Sequence, residues 1–337
     1  MPTRLISLDR LRSLLASAPT RRVTVLGDAM LDVYLQGDVD RISPEAPVPV
    51  VRVRARRNAL GGAANVAQNV AALGATAELI ATVGSDPAAD RLRELLAATG
   101  GETRGLVTVN RPTTTKTRVV ARAQQLVRVD DEVDDDCSSV EVALLDAALT
   151  RAVGESHALI LEDYNKGVLV APVIARALAL ARAKGIPVVV DPKYRNFFAY
   201  KGATIFKPNR RELEAALGAA VDVDHPATLP GLVEKLGVES ILLTLSERGM
   251  ALITRGATAA DGVHRIPTTA REVYDVVGAG DTVTAYLAVM LAAGATPLEA
   301  SVIANFAAGI EVGKLGAATV AAAEVIAAYE AHSGRPV

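Results

Sequence analysis

The sequence is poor in the residue types that carry disulfides, zinc clusters or base stacking. Its 337 residues include one cysteine, four histidines and no tryptophan, and aromatic residues make up only 3%. The single cysteine, Cys137, has no partner for an internal disulfide, and the scattered histidines show no metal-ligand spacing. With so few aromatics, a base-stacking platform for single-stranded nucleic acid is not expected. These scarcities argue against disulfide-rich, zinc-binding and nucleic-acid-binding classes.

A strong charge imbalance and a long apolar run are also missing. The formal net charge of −2 favours neither nucleic acid nor an anionic membrane as a partner. No apolar stretch reaches the roughly 20 residues that a membrane span requires. The first helical pattern, at residues 5–15, contains Asp9, Arg10 and Arg12 and does not look like a signal peptide. With 50% apolar and 22% charged residues, we expect a soluble, cytoplasmic globular protein.

Short β-rich runs alternate with helical patterns along most of the chain. The strand pattern Ala158–Leu161 followed by the helical pattern Pro172–Lys184 is one example. Such alternation predicts an α/β protein with a mostly parallel central sheet and helices on both faces. Two segments break the pattern, at about 33–55, with its prolines and alternating Val and Arg, and at about 104–130. We expect them to form a small β lid, within a single domain spanning residues 1–337.

The most informative stretch is Asp275-Val-Val-Gly-Ala-Gly-Asp-Thr-Val-Thr284, which precedes a long helical pattern. Gly278, Ala279 and Gly280 have little or no side chain, so a ligand can approach their backbone N–H groups. A helix that begins here presents orphan N–H groups and the positive end of its dipole, which together favour an anion. Asp281 then stands in the first turn, where a carboxylate can act as general base for a hydroxyl attacking a phosphoryl group. The alternative is that Asp281 is a helix cap and the glycines form an ordinary turn.

Other polar residues fall at predicted strand ends or helix starts, where open α/β sheets bind their ligands. These are Asp32, Asn65, Asp163, Lys193, Asn209 and Glu212. Asn209 and Glu212 lie three residues apart, so they share one helical face and can hold the waters of a phosphate-bound Mg²⁺. An ordinary capping box is the alternative. The P-loop and dinucleotide-binding motifs are both absent.

The chain resembles the ribokinase (PfkB) family of sugar kinases from about residue 20 to 325. Val276-Val-Gly-Ala-Gly-Asp281 resembles the family's C-terminal motif, and Gly61-Gly-Ala-Ala-Asn-Val-Ala67 resembles its N-terminal motif. Four further strings are similar to those of the heptose 7-phosphate kinases within this family. They are Arg41-Ile-Ser-Pro-Glu-Ala-Pro-Val-Pro-Val50, Asp163-Tyr-Asn-Lys-Gly167, Glu272-Val-Tyr-Asp275 and Val312-Gly-Lys-Leu-Gly316.

The resemblance implies a ribokinase-like fold and a reaction. ATP, with Mg²⁺, would phosphorylate D-glycero-β-D-manno-heptose 7-phosphate at its anomeric oxygen. The product would be the 1,7-bisphosphate used for ADP-heptose and the lipopolysaccharide inner core. Other sugar kinases of the family, with fructose-like or ribose-like substrates, remain an alternative. A non-catalytic nucleotide or sugar-phosphate sensor is a second one.

The resemblance also implies a role for individual residues. Asp281 would take the proton from the anomeric hydroxyl, while the amides of Gly278, Ala279 and Gly280 stabilise the transferred phosphate. The ATP side would comprise Asn209, Arg210, Arg211, Glu212, Thr244, Gly249 and Asn305, with Glu212 acting on Mg²⁺ through water. The sugar side would comprise Asp32, Gly61, Gly62, Asn65 and Asp163. The cations for the substrate's own phosphate would be Lys116, Arg118, Arg122, Arg128, Lys166 and Lys193. Four of them lie in a basic hairpin, and without the resemblance this hairpin would be interpreted as a solvated sheet edge protected by charges.

Three departures or absences accompany the resemblance. Val277 stands where the family usually has Thr or Ser, and Glu162 replaces a small polar residue before Asp163. A His-x-Gly-His motif is absent, so we expect no nucleotidyltransferase domain in addition to the kinase domain. Exposed lid edges also predict a homodimer, because an unpaired sheet edge seeks a partner.

Overall fold

A nine-stranded sheet forms the centre of the computed structural model, which describes residues 6–122, 124–225, 229–255, 262–270 and 272–333. In spatial order the strands are β13 (Val263–Ile266), β12 (Met250–Thr254), β11 (Ser240–Thr244), β10 (Ile205–Phe206), β9 (Val188–Asp191), β8 (Ala158–Glu162), β1 (Arg22–Gly27), β4 (Thr76–Val83) and β5 (Leu106–Thr108). Strands β11 to β5 are parallel, and β12 and β13 are antiparallel additions at one edge. The mostly parallel sheet expected from the alternating pattern is confirmed.

Helices cover both faces of this sheet and bury two apolar cores. One core contains residues of α1 (Leu8–Ser17), α2 (Ala63–Ala72), α3 (Pro87–Ala98), α8 (Ala279–Ala292), α9 (Pro297–Glu311) and α10 (Ala322–Ser333). The other contains residues of α4 (Ser139–Glu155), α5 (Ala171–Lys184), α6 (Arg210–Leu217) and α7 (Pro230–Leu236). Strand β8 serves both, because Ile160 packs in the first core while Leu159 and Leu161 pack in the second. None of the helices in the described ranges is long and apolar enough to cross a membrane.

A separate four-stranded sheet forms the lid. Its order is β3 (Pro49–Gly62), β2 (Ala29–Ile42), β6 (Thr115–Ala121) and β7 (Gln124–Asp131). The lid is thus present, but its second segment begins near residue 115 and not near 104. Residues 106–108 instead pair with β4 as the last strand of the central sheet, because the short apolar run Leu106-Val107 finds a parallel partner there.

The carboxyl ends of the parallel strands meet at one edge of the sheet, beneath the lid. Glu162 ends β8, Asp191 ends β9, and the turn into α8 lies beside them. Asp28 directly follows β1 and accepts backbone N–H groups of Tyr164 at 2.8 Å, Lys166 at 3.0 Å and Val168 at 3.1 Å. This buried carboxylate therefore fixes the loop after β8 against the end of β1.

Candidate active site

Asp281 is the centre of the site. It lies in the first turn of α8 and is 7% exposed. Its Oδ2 accepts a hydrogen bond from the Asn65 side-chain amide at 2.7 Å, and its Oδ1 accepts one from the Tyr164 hydroxyl at 3.0 Å. Burial raises the pKa of Asp281 to about 6, with Asp191 adding to the rise and both hydrogen bonds opposing it. A base with a pKa near neutrality suits proton transfer at physiological pH.

The turn before Asp281 is shaped by its small residues. Gly278 precedes α8 with φ 97°, in the left-handed region that favours glycine. A Cβ there would lie 3.0 Å from the Cβ of Ala317 and 3.2 Å from Glu311 Oε1. At Gly280 a Cβ would lie 3.6 Å from the ammonium nitrogen of Lys207. A buried cation therefore lies beside Gly280 at the start of α8, and the space at Gly278 is too narrow for a larger side chain.

Asn65 is held by its own helix. Gly62 precedes α2 with φ 55°, and a Cβ there would lie 2.4 Å from the carbonyl oxygen of Asp28. The Asn69 amide donates to the Asn65 carbonyl oxygen at 2.9 Å, and the Thr282 hydroxyl donates to Asn69 Oδ1 at 3.1 Å. The starts of α2 and α8 are thus tied together by side chains, and this orients Asn65 toward Asp281.

Three acidic residues converge at this point. Glu162, Asp191 and Asp281 each offer a carboxylate oxygen, and these atoms lie within 4.8 Å of one another. Asp191 accepts a hydrogen bond from Lys207 at 2.8 Å, and both side chains are buried. Neither carboxylate oxygen of the fully buried Glu162 has a hydrogen-bond partner in the described residues. Burial, together with Asp191 and Asp281, raises the pKa of Glu162 well above its usual range.

The oxygen donors of this cluster fit a hard divalent cation. Mg²⁺ takes six oxygen ligands at about 2.1 Å, so that ligands on opposite sides are about 4.2 Å apart. Carboxylate oxygens spaced by up to 4.8 Å come close to that spacing. The cluster has the chemistry of a metal site, although Lys207 already supplies one positive charge to Asp191.

The residues expected on the ATP side lie along the strand ends on the α6 side. Asn209 and Glu212 form a capping box at the start of α6, with N–H to side-chain distances of 2.9 Å and 2.8 Å. Glu212 Oε1 also accepts from Lys193 at 2.5 Å. Although burial lowers the pKa of Lys193, Asp191 and Glu212 raise it more strongly, so its ammonium stays charged. Thr244 forms a β-bridge with Asn209, which brings the end of β11 to the same place.

The remaining residues of that group lie outside this cluster. Arg210 pairs with Glu214 at 2.9 Å on the surface of α6, and Arg211 is exposed. Gly249 has φ 81° between β11 and β12, where a Cβ would lie 2.2 Å from a backbone oxygen, so the turn itself requires glycine. The Asn305 side chain donates to the Pro267 carbonyl oxygen at 2.8 Å and is buried.

A cavity of about 390 Å³ lies beside Asn305. Its lining residues are Thr269, Glu272, Phe306, Gly309, Ile310, Gly313, Ala328, Ala331 and His332. Three of them come from α10, a helix that sequence interpretation did not identify. The cavity has room for a base-sized group, and it is walled by α9 and α10.

The residues expected on the sugar side are partly brought together. Asp32 is buried on β2 and accepts from Arg118 at 2.6 Å, and a Cβ on Gly61 would lie 3.0 Å from Asp32 Oδ2. Asp163 lies between Glu162 and Tyr164, and its backbone N–H donates to the Asp191 carbonyl oxygen at 3.0 Å. Its Oδ2 accepts a hydrogen bond from the Tyr200 hydroxyl at 2.7 Å, and its Oδ1 accepts one from the backbone N–H of Asn165 at 2.8 Å. Both oxygens of Asp163 are therefore used inside the protein.

Most of the candidate phosphate-binding cations have carboxylate partners. Lys116 pairs with Asp130 and Glu132, Lys166 pairs with Glu132, and Arg128 pairs with Asp130. Arg122 lies in the β6–β7 turn. Six residues of extended strand separate it from Lys116, a span of about 20 Å. The structure therefore does not place all six cations around one phosphate.

Several residues of the site were missed by sequence interpretation. Tyr164, Asp191 and Lys207 contact Asp281 or each other, yet none was given a role. Each lies at the end of a short buried strand or within two residues of it, in the strings Glu162-Asp-Tyr, Asp191-Pro-Lys and Lys207-Pro-Asn. Polar residues at the ends of parallel strands were the available signal.

Comparison with known proteins gives one family match and many relatives. A family model described as pfkB family carbohydrate kinase matches residues 20–323. Two curated relatives, each named bifunctional protein HldE, come from Shewanella amazonensis and Azorhizobium caulinodans. The first is 48% identical over 93% of this chain and 64% of its own length. The second is 48% identical over 94% and 66%, so the chain spans less than two thirds of the length of these relatives.

Solved structures share the fold at low sequence identity. Phosphofructokinase-2 from Escherichia coli, in complex with substrates and products, has a TM-score of 0.75 at 18% identity and covers 93% of this chain and 99% of that one. Ribokinase from Arabidopsis thaliana, complexed with ribose and ATP, has a TM-score of 0.71 at 20% identity and covers 91% and 98%. These likenesses establish a ribokinase-like fold, as the sequence resemblance implied.

Proposed function

The chain belongs to the pfkB family of carbohydrate kinases, and from that premise we propose that it phosphorylates a heptose 7-phosphate. ATP is the donor, and the anomeric hydroxyl is the acceptor, so that the product is the 1,7-bisphosphate. This product would feed the synthesis of ADP-heptose and of the lipopolysaccharide inner core. The heptose assignment is supported by the four strings shared with heptose 7-phosphate kinases and by the 48% identity to the HldE relatives.

The observation that carries the proposal is the environment of Asp281. A buried carboxylate with a pKa of about 6 stands in the first turn of a helix that begins on Gly278. We assign it the role of general base for the anomeric hydroxyl. Asn65 and Tyr164 hold both of its oxygens, so the carboxylate is oriented before the sugar arrives.

The first amides of α8 support a role in stabilising the transferred phosphoryl group. Gly278 is the N-cap, and Ala279 and Gly280 are the first residues of the helix, where N–H groups and the dipole attract negative charge. The Ala279 N–H also makes a long hydrogen bond of 3.4 Å to the Val276 carbonyl oxygen. The role assigned to these three residues is the anion hole of the reaction, because such donors act on charge that develops in the transition state. Val277 contributes no donor to this anion hole, because its side chain is apolar and its backbone N–H donates to Asp275 Oδ1 at 3.1 Å.

The nucleotide is assigned to the α6 side of the site. The cavity beside Asn305 would take the base, and Asn209 and Thr244, which are bridged to each other, would lie nearer the phosphates. Mg²⁺ would be held by oxygen donors from Glu212 and the carboxylates of the acidic cluster. When bound, it neutralises charge on the nucleotide phosphates. Lys193 and Lys207, both kept charged beside these carboxylates, supply the protein's own positive charge there.

A panel of sugars tests the substrate. Formation of ADP is measured with heptose 7-phosphate, with the unphosphorylated heptose, and with fructose and ribose. ³¹P NMR of the product identifies the oxygen that is phosphorylated. We expect a preference for the heptose 7-phosphate and a new phosphate on the anomeric oxygen. Preference for an unphosphorylated sugar would refute the heptose assignment but not the kinase, whereas tight nucleotide binding without ADP would indicate a sensor.

A homodimer through the lid is a second part of the proposal. Val127 and Val129 are 49% and 55% exposed, and their side chains lie on the face of the lid opposite to Arg118. Burial of such an apolar face against a second copy would stabilise a dimer. We expect a dimer mass by light scattering, and a shift toward monomer on replacing both valines with threonine. A monomer mass at all concentrations would contradict the dimer.

A further inference from the structure

The inner face of the lid carries a surplus of positive charge. Residues directly paired across neighbouring strands project on the same face, so the face that holds Asp32 can be read from the register. Its charged members near Tyr34 are Arg57, Arg118 and Asp32, and those farther away include Lys116, Arg128, Asp130, Glu132, Arg52 and Asp38. Around Tyr34 two guanidinium groups thus accompany one carboxylate, while the floor of the site holds an acidic cluster. An anionic group of a ligand would be attracted to the lid end of the cleft and not to the floor.

Tyr34 organises two of these cations. It lies on β2 between Arg57 on β3 and Arg118 on β6. Each guanidinium carbon lies 5.3 Å from the centre of the Tyr34 ring, one reaching it from either side. Such cation–π contacts hold both planar groups in place and reduce the freedom they lose when they bind a ligand. The ring therefore serves as a spacer between two prearranged guanidinium groups.

Arg57 is the member of this set that has no acidic partner. Arg118 is paired with Asp32, and Lys116 and Arg128 are paired with Asp130. Across the parts of the chain that the structure describes, no carboxylate lies within ion-pair distance of Arg57. Its Nη2 lies beside Gly316, where an added Cβ would be 3.1 Å away. An unpaired guanidinium at this place has its donors available for an oxyanion.

We propose that Arg57 and Arg118, spaced by Tyr34, bind the terminal phosphate of the sugar substrate. The inference rests on the proposed function, and it adds Arg57 and Tyr34 to the residues that would select a phosphorylated sugar. Asp32 marks the hydroxyl end of the site, and Tyr34 is two residues farther along the same strand, or about 7 Å. A heptose 7-phosphate carries its phosphate two carbon atoms beyond the ring, and the proposal places that phosphate beside Tyr34.

The γ-phosphate of ATP is the other phosphate in the proposed complex. That group already has the first amides of α8, together with Lys193 and Lys207 beside the acidic cluster. Arg57 is therefore assigned to the sugar and not to the nucleotide. The two assignments differ in a measurable way, because loss of a contact to the sugar phosphate leaves nucleotide binding unchanged.

The test compares Arg57→Gln with Arg56→Gln. Arg56 is the adjacent residue, is also exposed, and projects on the opposite face of the same strand, so its replacement makes the same change in charge. Binding of heptose 7-phosphate and of the unphosphorylated heptose is measured by calorimetry without ATP. KM for each substrate and kcat are measured separately. We expect Arg57→Gln to weaken binding of the sugar phosphate by roughly tenfold to a hundredfold and to leave the parent heptose unaffected.

The role of Tyr34 as a spacer has its own comparison. Tyr34→Phe keeps the ring and should bind heptose 7-phosphate nearly as the wild type does, whereas Tyr34→Leu should weaken it. Equal binding by Arg57→Gln and Arg56→Gln would overturn the proposal, as would a loss confined to KM for ATP. If the wild type does not turn over heptose 7-phosphate, the calorimetric comparison still decides whether Arg57 recognises the phosphate.

Discussion

The Tyr164 hydroxyl provides a sensitive test of how the site sets the pKa of Asp281. It donates to Asp281 Oδ1 at 3.0 Å, and this hydrogen bond stabilises the ionised carboxylate. Tyr164→Phe removes the hydroxyl while leaving the ring beside Lys193, whose ammonium lies 5.4 Å from the ring centre. The change therefore acts on one hydrogen bond of the proposed base.

The direction and size of the effect follow from that bond. A hydrogen bond to a charged group contributes about 1.5–3 kcal/mol, and 1.36 kcal/mol corresponds to one pH unit. Because a water molecule can replace part of the lost bond, the lower end of this range applies. The proposed base is active when deprotonated, so kcat/KM of the wild type should fall as the pH drops through about 6. In Tyr164→Phe the midpoint of this fall should move upward by about one pH unit.

The assay is the pH profile of kcat/KM between pH 5 and 9, measured as ADP formation at low sugar concentration. Tyr286→Phe is the matched control, because its hydroxyl is also buried but donates to the carbonyl oxygen of Val320. This control should keep the midpoint of the wild type. An unchanged or lowered midpoint in Tyr164→Phe would refute the reasoning that this hydroxyl holds Asp281 in its ionised form.

Three further substitutions test the energetics of the site. Since burial raises the pKa of Asp281 from 3.8 to about 6, the ionised carboxylate destabilises the folded state above pH 6 by up to about 3 kcal/mol. Asp281→Asn should therefore raise the midpoint of thermal unfolding at pH 8, with a gain that narrows toward pH 5; a gain independent of pH would contradict this. Gly278→Ala should reduce turnover and destabilise the fold by about 1–2 kcal/mol. The new alanine must keep the left-handed backbone conformation of Gly278, and its Cβ must pack against Ala317. Gly294→Ala, with φ 87° and open space around the new Cβ, is its control and should be milder in denaturant unfolding. Lys207→Met leaves Asp191 buried and unpaired and should cost about 3–5 kcal/mol, part of which the additional change Asp191→Asn should restore.

The elements of the central sheet were largely predictable from local patterns. Helix Ala171–Lys184 matches the predicted Pro172–Lys184 to within one residue, since Pro172 fits its first turn and Gly185 ends it in a left-handed conformation. Strand Ala158–Glu162 likewise matches the predicted Ala158–Leu161 to within one residue. These signals are local, so a single sequence contains them.

The features that sequence interpretation missed depend on contacts between distant segments. Residues 106–108 were assigned to the lid, and only pairing with β4 places them in the central sheet. Helix Ala322–Ser333 was not identified, because its alanine-rich pattern gives little amphipathic contrast. Similarly, the orientation of the Asp163 carboxylate depends on Tyr200, which is 37 residues away and whose hydroxyl donates to it.

In the candidate site, the local sequence pattern predicted the helix start that carries Asp281, but it did not predict the side chains that contact this residue. The Gly-Ala-Gly-Asp turn predicted where Asp281 would lie, since the helix start is encoded locally. Its partners Asn65 and Tyr164 come from segments 216 and 117 residues away, and nothing in the local pattern predicts those hydrogen bonds. In the same way, ion pairs formed across the lid determine which cations are free, and so Arg57 could not be separated from its basic neighbours by sequence alone.

The measurement that tests the central claim most directly is the turnover of Asp281→Asn. Calorimetry establishes that ATP and heptose 7-phosphate still bind, and single-turnover experiments then follow ADP formation at saturating concentrations of both. If Asp281 takes the proton from the anomeric hydroxyl, the rate should fall by about a hundredfold to ten-thousandfold with little change in either affinity. A turnover rate within a fewfold of the wild type would contradict the account.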